Sequence, residues 1–211
     1  MLEGWTRKLS EEIKKPLPGL KAQLKMSPNI TGVADKYINP REDARQSGVL
    51  ILLYEDEDGE VRFPLIKRSS YNGAHSGQIS LPGGKMEDGE TYEQTALREA
   101  EEEIGINKSD VLIIGKLSEF YVWVSNFIVQ PVLGYITYQP EFIPDLYEVE
   151  EVITTSISEF MDEQKIARKE IRTSGGYVID APYFNLSGQV VWGATAMMLS
   201  EFREILMKIN K

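Results

Sequence analysis

The pattern of apolar and polar positions divides the chain into segments of helical and extended character. Residues 5–25 open with apolar positions at helical spacing, which Pro16 and Pro18 then interrupt. This pattern predicts a short helix followed by an irregular arm. From Gly193 to Ile209 apolar residues again recur at helical spacing, which predicts an amphipathic helix that packs on a sheet.

A β-hairpin and a long loop are predicted between these ends. Val49–Tyr54 is continuously apolar, residues 55–59 have the composition of a turn, and Val61–Lys67 resumes extended character. A stretch rich in Gly, Ser and Asn runs from Ser69 to Gly84, and the sequence predicts no further regular structure before Thr91. Long loops in compact domains are often functional.

The next helix carries its own boundary signals. Thr91 and Gln94 fit a capping box, in which each side chain satisfies a free backbone N–H at a helix start. We expect this helix to run to Ile104, with Gly105 as its C-terminal cap.

Extended segments dominate the remainder, so the chain is expected to be α+β, an α/β/α sandwich. The predicted elements are strands at Val111–Leu117, Phe127–Tyr138 and Val149–Thr155, and a short helix at Ile157–Gln164. We expect one domain at residues 46–211, preceded by an accessory helical arm at residues 1–45. The arm is compatible with two roles, a homodimer interface or a cover over the functional site.

Charge and composition restrict the chemistry. The 211 residues carry a net charge of −10, which disfavours broad binding to nucleic acid or to anionic membranes. There is no cysteine and a single histidine, His75, so thiol nucleophiles and sites that need two imidazoles are excluded. Carboxylates remain as the main metal ligands. No apolar run has the length of a signal peptide or a membrane span, and we expect a cytoplasmic protein.

Three carboxylates crowd one face of the helix predicted after Thr91. Glu99, Glu102 and Glu103 are related as i, i+3 and i+4, so their side chains project in one sector. The apolar residues fall on the opposite side, at Leu97, Ala100 and Ile104. We therefore expect the acidic face to point outward, either as a solvated surface or as a site for Mg²⁺, Mn²⁺ or Ca²⁺.

The residues that accompany Glu99, Glu102 and Glu103 in the sequence favour the metal site over a solvated surface. Gly84, Glu90 and the run from Arg98 to Ile106 give the pattern G-x5-E-x7-R-E-U-x-E-E-x-G-U, where U is apolar. This pattern resembles the Nudix box of the Nudix hydrolase superfamily, and every fixed position is met. The resemblance implies the Nudix fold, in which the box helix lies on one side of a mixed sheet and a C-terminal helix packs on that sheet.

The resemblance also implies roles for individual residues. Glu102 and Glu103 would bind Mg²⁺ or Mn²⁺, and Glu99 would bind the metal or act as the general base. The Gly83 carbonyl would complete the metal sphere beside Gly84, and Glu90 and Arg98 would support the glutamates. The implied activity is hydrolysis of a diphosphate linkage in a small nucleotide derivative.

The flanking segments point to a substrate. Residues 65–70, 75–84, 125–134 and 191–196 resemble the corresponding segments of coenzyme A pyrophosphatases in the same superfamily. That resemblance implies cleavage of coenzyme A or acyl-CoA to adenosine 3′,5′-bisphosphate and a 4′-phosphopantetheine. The alternatives are hydrolysis of ADP-ribose or another nucleoside-diphosphate derivative, and a noncatalytic ligand-sensing module.

Several residues outside the box are candidates for substrate or metal contacts. Arg68 and His75 are expected to contact substrate phosphate, with Lys67 and Trp192 as further substrate-binding candidates. Histidine 75 is nearly as well explained as a structural residue, Lys67 as a solvated cation and Trp192 as a core aromatic. One more carboxylate is expected from Glu148 or Glu151, which a plain acidic surface turn would explain equally well.

Overall fold

The computed structural model describes residues 2–29, 33–69, 77–173 and 176–209. In these ranges six α-helices form: α1 (Leu2–Glu12), α2 (Leu20–Gln23), α3 (Val33–Ile38), α4 (Tyr92–Ile104), α5 (Ile157–Met161) and α6 (Gly193–Ile209). The same ranges hold eleven strands: β1 (Arg45–Glu55), β2 (Val61–Arg68), β3 (Ile79–Ser80), β4 (Gly83–Lys85), β5 (Leu112–Lys116), β6 (Phe120–Val122), β7 (Phe127–Tyr135), β8 (Val149–Ser156), β9 (Ile166–Arg172), β10 (Val178–Leu186) and β11 (Gln189–Trp192).

Strands β1 to β8 form one mixed sheet. Its order is β3-β2-β1-β7-β5, while β8 pairs with β2, β4 with β1, and β6 with β7. The pairing of β1 with β7 is parallel, from Arg45 opposite Phe127 to Leu53 opposite Tyr135, and the other pairings are antiparallel. Strands β9 to β11 form a separate antiparallel sheet.

Strand β1 is continuously apolar from Val49 to Tyr54 because helices cover both faces of the sheet there. Ile51 and Leu53 belong to the core cluster that includes buried residues of α1 and α6. Leu50 and Leu52 point the other way and share a second cluster with Ala100 of α4. A strand buried on both faces shows a continuous apolar run rather than alternation. The three layers confirm the predicted α+β sandwich.

The hairpin and the helix boundaries follow the sequence pattern. Tyr54 lies opposite Arg62 in the β1–β2 pairing. Both hydrogen bonds of the capping box are present, since Gln94 N donates to Thr91 Oγ1 and Thr91 N donates to Gln94 Oε1. Gly105 ends α4 in the left-handed conformation, as predicted.

Other element boundaries predicted from the sequence were wrong. The strand predicted to reach Tyr138 ends at Tyr135. The helix predicted over Ile157–Gln164 ends at Met161, because Asp162 adopts an extended conformation and caps a separate 3-10 turn at Glu163–Lys165. The segment predicted to be irregular up to Thr91 contains β3 and β4.

Long-range pairing explains the strands that the pattern did not predict. Strand β4 is rich in glycine and is held by Ser47–Val49 of β1 rather than by its own propensity. The smaller sheet includes β9, whose sequence IARKEIR is largely exposed and shows no apolar run. Short strands of this kind are defined by their neighbours, and a single sequence carries little local signal for them.

Residues of the N-terminal arm pack against α6. Glu201 is completely buried on that helix and accepts hydrogen bonds from Gly19 N at 2.9 Å, Gln23 Nε2 at 3.0 Å and Ser118 Oγ at 2.6 Å. A buried carboxylate is tolerated when donors surround it in this way. The division into an arm at residues 1–45 and a domain at residues 46–211 remains a prediction. Among the described residues, none of the helices has the length and apolar character needed to cross a membrane.

Helix α4 lies close against β1 at Gly48. A Cβ atom at this position would lie 2.5 Å from the carbonyl oxygen of Tyr92 and 3.0 Å from the backbone nitrogen of Ala96. The helix can approach the strand this closely only because residue 48 has no side chain.

We expect Gly48→Ala to lower the free energy of unfolding by about 3 kcal/mol, because the added methyl group pushes helix backbone away from the strand. Urea denaturation followed by circular dichroism measures the change. Gly4→Ala is the matched control, since no atom lies within 4 Å of a Cβ placed there, and it should be neutral or stabilising by up to about 1 kcal/mol. Equal stability of Gly48→Ala and wild type would contradict the close approach.

Candidate functional site

Helix α4 brings the three glutamates together at different depths. The side chain of Glu102 is 58% exposed, whereas those of Glu99 and Glu103 are 15% and 2% exposed. The expectation that the whole acidic face points outward was therefore wrong. The chain around Gly83 and Gly84 lies over Glu99 and Glu103, which helical periodicity alone could not reveal.

Arg98 is the hub of the cluster. Its Nε donates to Glu90 Oε1 at 2.7 Å, and its Nη1 donates to Glu99 Oε1 at 2.8 Å and Glu102 Oε2 at 3.1 Å. Its Nη2 donates to the Lys85 carbonyl at 3.1 Å. The ion pair between Arg98 and Glu90 joins the glycine-containing segment to α4.

Glu90 is firmly ionised in this arrangement. The hydrogen bonds from Arg98 lower the pKa of Glu90 to about 2. Thr95 Oγ1 donates a further hydrogen bond to Glu90 Oε2 at 2.8 Å. The sequence interpretation missed Thr95, although a polar residue on the buried side of a helix is a signal that it has a partner.

The two glycines allow the backbone to rest against the carboxylates. Gly83 N donates to Glu103 Oε2 at 2.7 Å. A Cβ atom at Gly84 would lie 2.2 Å from Glu99 Oε2, so any larger residue would displace that carboxylate. Gly83 and Gly84 thus set the positions of Glu103 and Glu99.

Burial and mutual repulsion act on the inner carboxylates. Burial raises the pKa of Glu103 to about 7 and also raises the pKa of Glu99. The charge of Glu148 raises both pKa values further. Glu151 instead lies opposite Lys67 across the β8–β2 pairing. Of the two candidates for an additional carboxylate, Glu148 is the one that interacts with the cluster.

The segment before Glu148 is fixed to the end of α4. Ile143 N donates to the Ile104 carbonyl at 3.0 Å, and Asp145 N donates to the Glu103 carbonyl at 3.1 Å. These backbone contacts carry Glu148 to the site. They join distant parts of the chain, so no local sequence pattern predicts them.

The cluster fits a divalent cation that binds oxygen ligands. Glu103 Oε1 is buried and receives no hydrogen bond, so one carboxylate oxygen is available to a ligand. Within the described residues no three acidic or histidine side chains already converge as a complete cage. Mg²⁺ does not need one, because it typically takes one or two carboxylates together with water and substrate phosphate oxygens.

Of the predicted substrate-binding residues that the structure describes, Arg68 lies at the glutamate cluster, whereas Lys67 and Trp192 have other surroundings. Arg68 lies at the glutamate cluster, where its Nη2 donates to the Gly83 carbonyl at 3.1 Å. Lys67 forms an ion pair with Glu150 at 2.5 Å. Trp192 is half-buried in the smaller sheet, opposite Tyr183. Histidine 75 lies outside the described residues.

Comparison with known families shows which family the chain belongs to. Residues 44–176, well over half of the chain, match the family model described as the NUDIX domain. The chain belongs to the Nudix family. This confirms the assignment made from the Nudix box.

Curated Nudix hydrolases are also similar to this chain. The chain is 37% identical over 164 residues to the mitochondrial Nudix hydrolase 15 of Arabidopsis thaliana, covering 74% of this chain and 56% of that protein. It is 34% identical over 122 residues to the peroxisomal coenzyme A diphosphatase ndx-8 of Caenorhabditis elegans, covering 56% of this chain and 52% of that protein. The chain thus spans about half the length of these relatives.

A solved structure supports the Nudix fold. The Nudix hydrolase RenU from M. Smegmatis superposes with a TM-score of 0.57 at 16% identity, covering 82% of this chain and 95% of that chain. At this identity the likeness establishes the fold alone.

The low pKa of Glu90 predicts how stability depends on pH. Its folded pKa, about 2, lies below the ordinary value of 4.5, so the stabilisation is present above pH 4.5 and is lost as the pH falls towards 2. Glu90→Gln should lower the free energy of unfolding by about 2 kcal/mol at pH 7. This deficit should shrink as the pH falls from 5 to 3.

Urea denaturation at pH 7, 5, 4 and 3 measures the deficit of Glu90→Gln. Glu87→Gln is the matched control, because the side chain of Glu87 is exposed in the same turn, and it should follow wild type throughout. A deficit for Glu90→Gln that stays constant down to pH 3 would be inconsistent with an ion pair to Arg98.

Proposed function

We propose that this protein is a divalent-metal-dependent hydrolase that cleaves the diphosphate linkage of coenzyme A or an acyl-CoA. The products are adenosine 3′,5′-bisphosphate and the corresponding 4′-phosphopantetheine. The observation that carries the proposal is the arrangement of Glu99 and Glu102 on Arg98, with Glu103 against the Gly83 backbone, in a chain of the Nudix family.

Glu102, Glu103 and the Gly83 carbonyl are the ligands proposed for Mg²⁺ or Mn²⁺. Such an ion supplies positive charge that offsets the diphosphate and makes a nearby water more acidic. Arg98 contacts Glu99 and Glu102 together, and this holds their carboxylates in place against their mutual repulsion. Glu90 in turn fixes the guanidinium plane of Arg98.

Glu99 is the proposed general base. Burial raises the pKa of its carboxyl group, and a raised pKa makes a carboxylate a better proton acceptor near neutral pH. The water oxygen bonds to one phosphorus as its proton passes to Glu99. The bond from that phosphorus to the bridging oxygen breaks, and the bridging oxygen leaves with the other phosphate. Each product is then a phosphomonoester.

Two observations support coenzyme A over other diphosphates. One is the similarity to the coenzyme A diphosphatase ndx-8 over 56% of this chain. The other is the placement of Arg68, which belongs to a flanking segment typical of coenzyme A pyrophosphatases, at the glutamate cluster. A guanidinium in this position suits a polyanionic substrate.

Assays with Mg²⁺ or Mn²⁺ against coenzyme A, ADP-ribose, NADH and diadenosine polyphosphates test the substrate. We expect coenzyme A to be the preferred substrate, with adenosine 3′,5′-bisphosphate identified by chromatography. Intact coenzyme A alongside rapid turnover of ADP-ribose would exclude the coenzyme A proposal and leave the diphosphate chemistry.

The metal role is tested in the same assay with Glu102→Gln. We expect this variant to lose roughly 100-fold or more in kcat, since replacing groups that merely orient metal ligands already costs 10- to 100-fold. Glu101→Gln is the matched control one residue earlier in α4, where Glu101 pairs with Lys108. Wild-type turnover by Glu102→Gln would defeat the mechanism.

Glu148, just before β8, and Glu151, within β8, should differ in their effect on turnover. Glu148 interacts electrostatically with Glu99 and Glu103, so Glu148→Gln should lower kcat roughly ten- to 100-fold. Glu151→Gln should leave kcat within about twofold of wild type, because Glu151 faces Lys67 instead. Steady-state kinetics with coenzyme A measure both, and equal effects would remove the special position of Glu148.

A further inference from the structure

Arg68 makes contacts that a residue reserved for substrate would not make. Its Nη2 donates to the Gly83 carbonyl at 3.1 Å and lies 3.2 Å from Glu103 Oε1. The side chain of Arg68 is 23% exposed and that of Glu103 only 2%. The guanidinium therefore lies at the edge of the site, against two groups that the proposed function assigns to the metal.

The two contacts of Arg68 differ in kind. The contact with the Gly83 carbonyl is a hydrogen bond, whereas the approach to Glu103 Oε1 is an ion pair without hydrogen-bond geometry. Glu103 Oε1 thus has a nearby positive charge but no donor. The nearby guanidinium offsets the negative charge of this buried oxygen, and because the oxygen accepts no hydrogen bond it can still bind a ligand.

The backbone supports a special orientation of Arg68. The pairing of β2 with β8 shifts register between Lys67 and Arg68. Irregularities of this kind re-aim a side chain and are common beside active sites. Just after it, Ser69 N donates to the Glu148 carbonyl at 2.9 Å, which anchors the strand end next to the additional carboxylate.

We propose that Arg68 is an exchangeable counter-cation: it compensates Glu103 and the Gly83 carbonyl in the metal-free protein, and metal binding releases it to the substrate diphosphate. This inference rests on the proposed function for the identity of the ligands. A dication and a guanidinium that share the same two oxygens repel each other strongly where water is largely excluded. The long side chain at the edge of the site gives Arg68 a route outward.

If metal binding releases Arg68, replacing Arg68 should change metal affinity and substrate affinity in opposite directions. Removing Arg68 destabilises the metal-free state selectively, so by linkage the metal should bind more tightly. The same change removes a cation from the diphosphate site, so substrate should bind more weakly. A residue that only holds the ligands in position would instead weaken metal binding when removed.

Arg68→Met is the test variant, and Arg62→Met is its matched control on the same strand. Arg62 pairs with Asp56 and Glu60, far along β2 from Arg68. Mn²⁺ is titrated without substrate at pH 8, and free Mn²⁺ is followed by electron paramagnetic resonance. The dissociation constant for Arg68→Met should fall about fivefold or more, while that for Arg62→Met stays at the wild-type value.

The second measurement is the KM for coenzyme A at saturating Mn²⁺. It should rise about tenfold in Arg68→Met. Arg68→Lys should restore most of the wild-type Mn²⁺ affinity, because it keeps the charge although it lacks the planar fork. Unchanged or weaker Mn²⁺ binding by Arg68→Met would overturn the exchange. If wild type binds Mn²⁺ but cleaves none of the substrates tested, the proposed function fails and the Mn²⁺ arm alone decides the role of Arg68.

Discussion

The guanidinium of Arg98 is the contact on which the arrangement of the site depends. Three carboxylates, those of Glu90, Glu99 and Glu102, accept hydrogen bonds from this one side chain, and it also holds the Lys85 carbonyl. Without a cation in this position, the glutamates of one helix face would repel one another. Because the arginine spans from α4 to the preceding segment, it also fixes the glycine backbone against the helix.

The architecture and the centre of the site could be predicted from the sequence. The continuous apolar run at Val49–Tyr54 indicates a strand covered on both faces, and the capping signals at Thr91 and Gly105 define α4. The spacing of Glu99, Glu102 and Glu103 places them on one side of that helix. All these features are local, because each depends on residues a few positions apart.

The features of the site that the sequence did not predict depend on contacts between distant parts of the chain. Periodicity shows which way Glu103 projects from α4, but not that the Gly83 segment covers it. The same limit applies to Arg68, whose orientation follows from its pairing with β8, and to Glu148, which is carried in by backbone hydrogen bonds to α4. The sequence identifies the residue types, while tertiary packing determines which of them meet.

The buried carboxylate of Glu201 has a consequence for the cooperativity of folding. Its donors come from Gly19, Gln23 and Ser118, so they lie in the arm and in the turn after β5. If the arm detached, a buried carboxyl group would lose hydrogen-bond partners, and α6 would have to admit water at its centre. The arm and α6 should therefore open together, as a single unit of local unfolding rather than as an independently fraying segment.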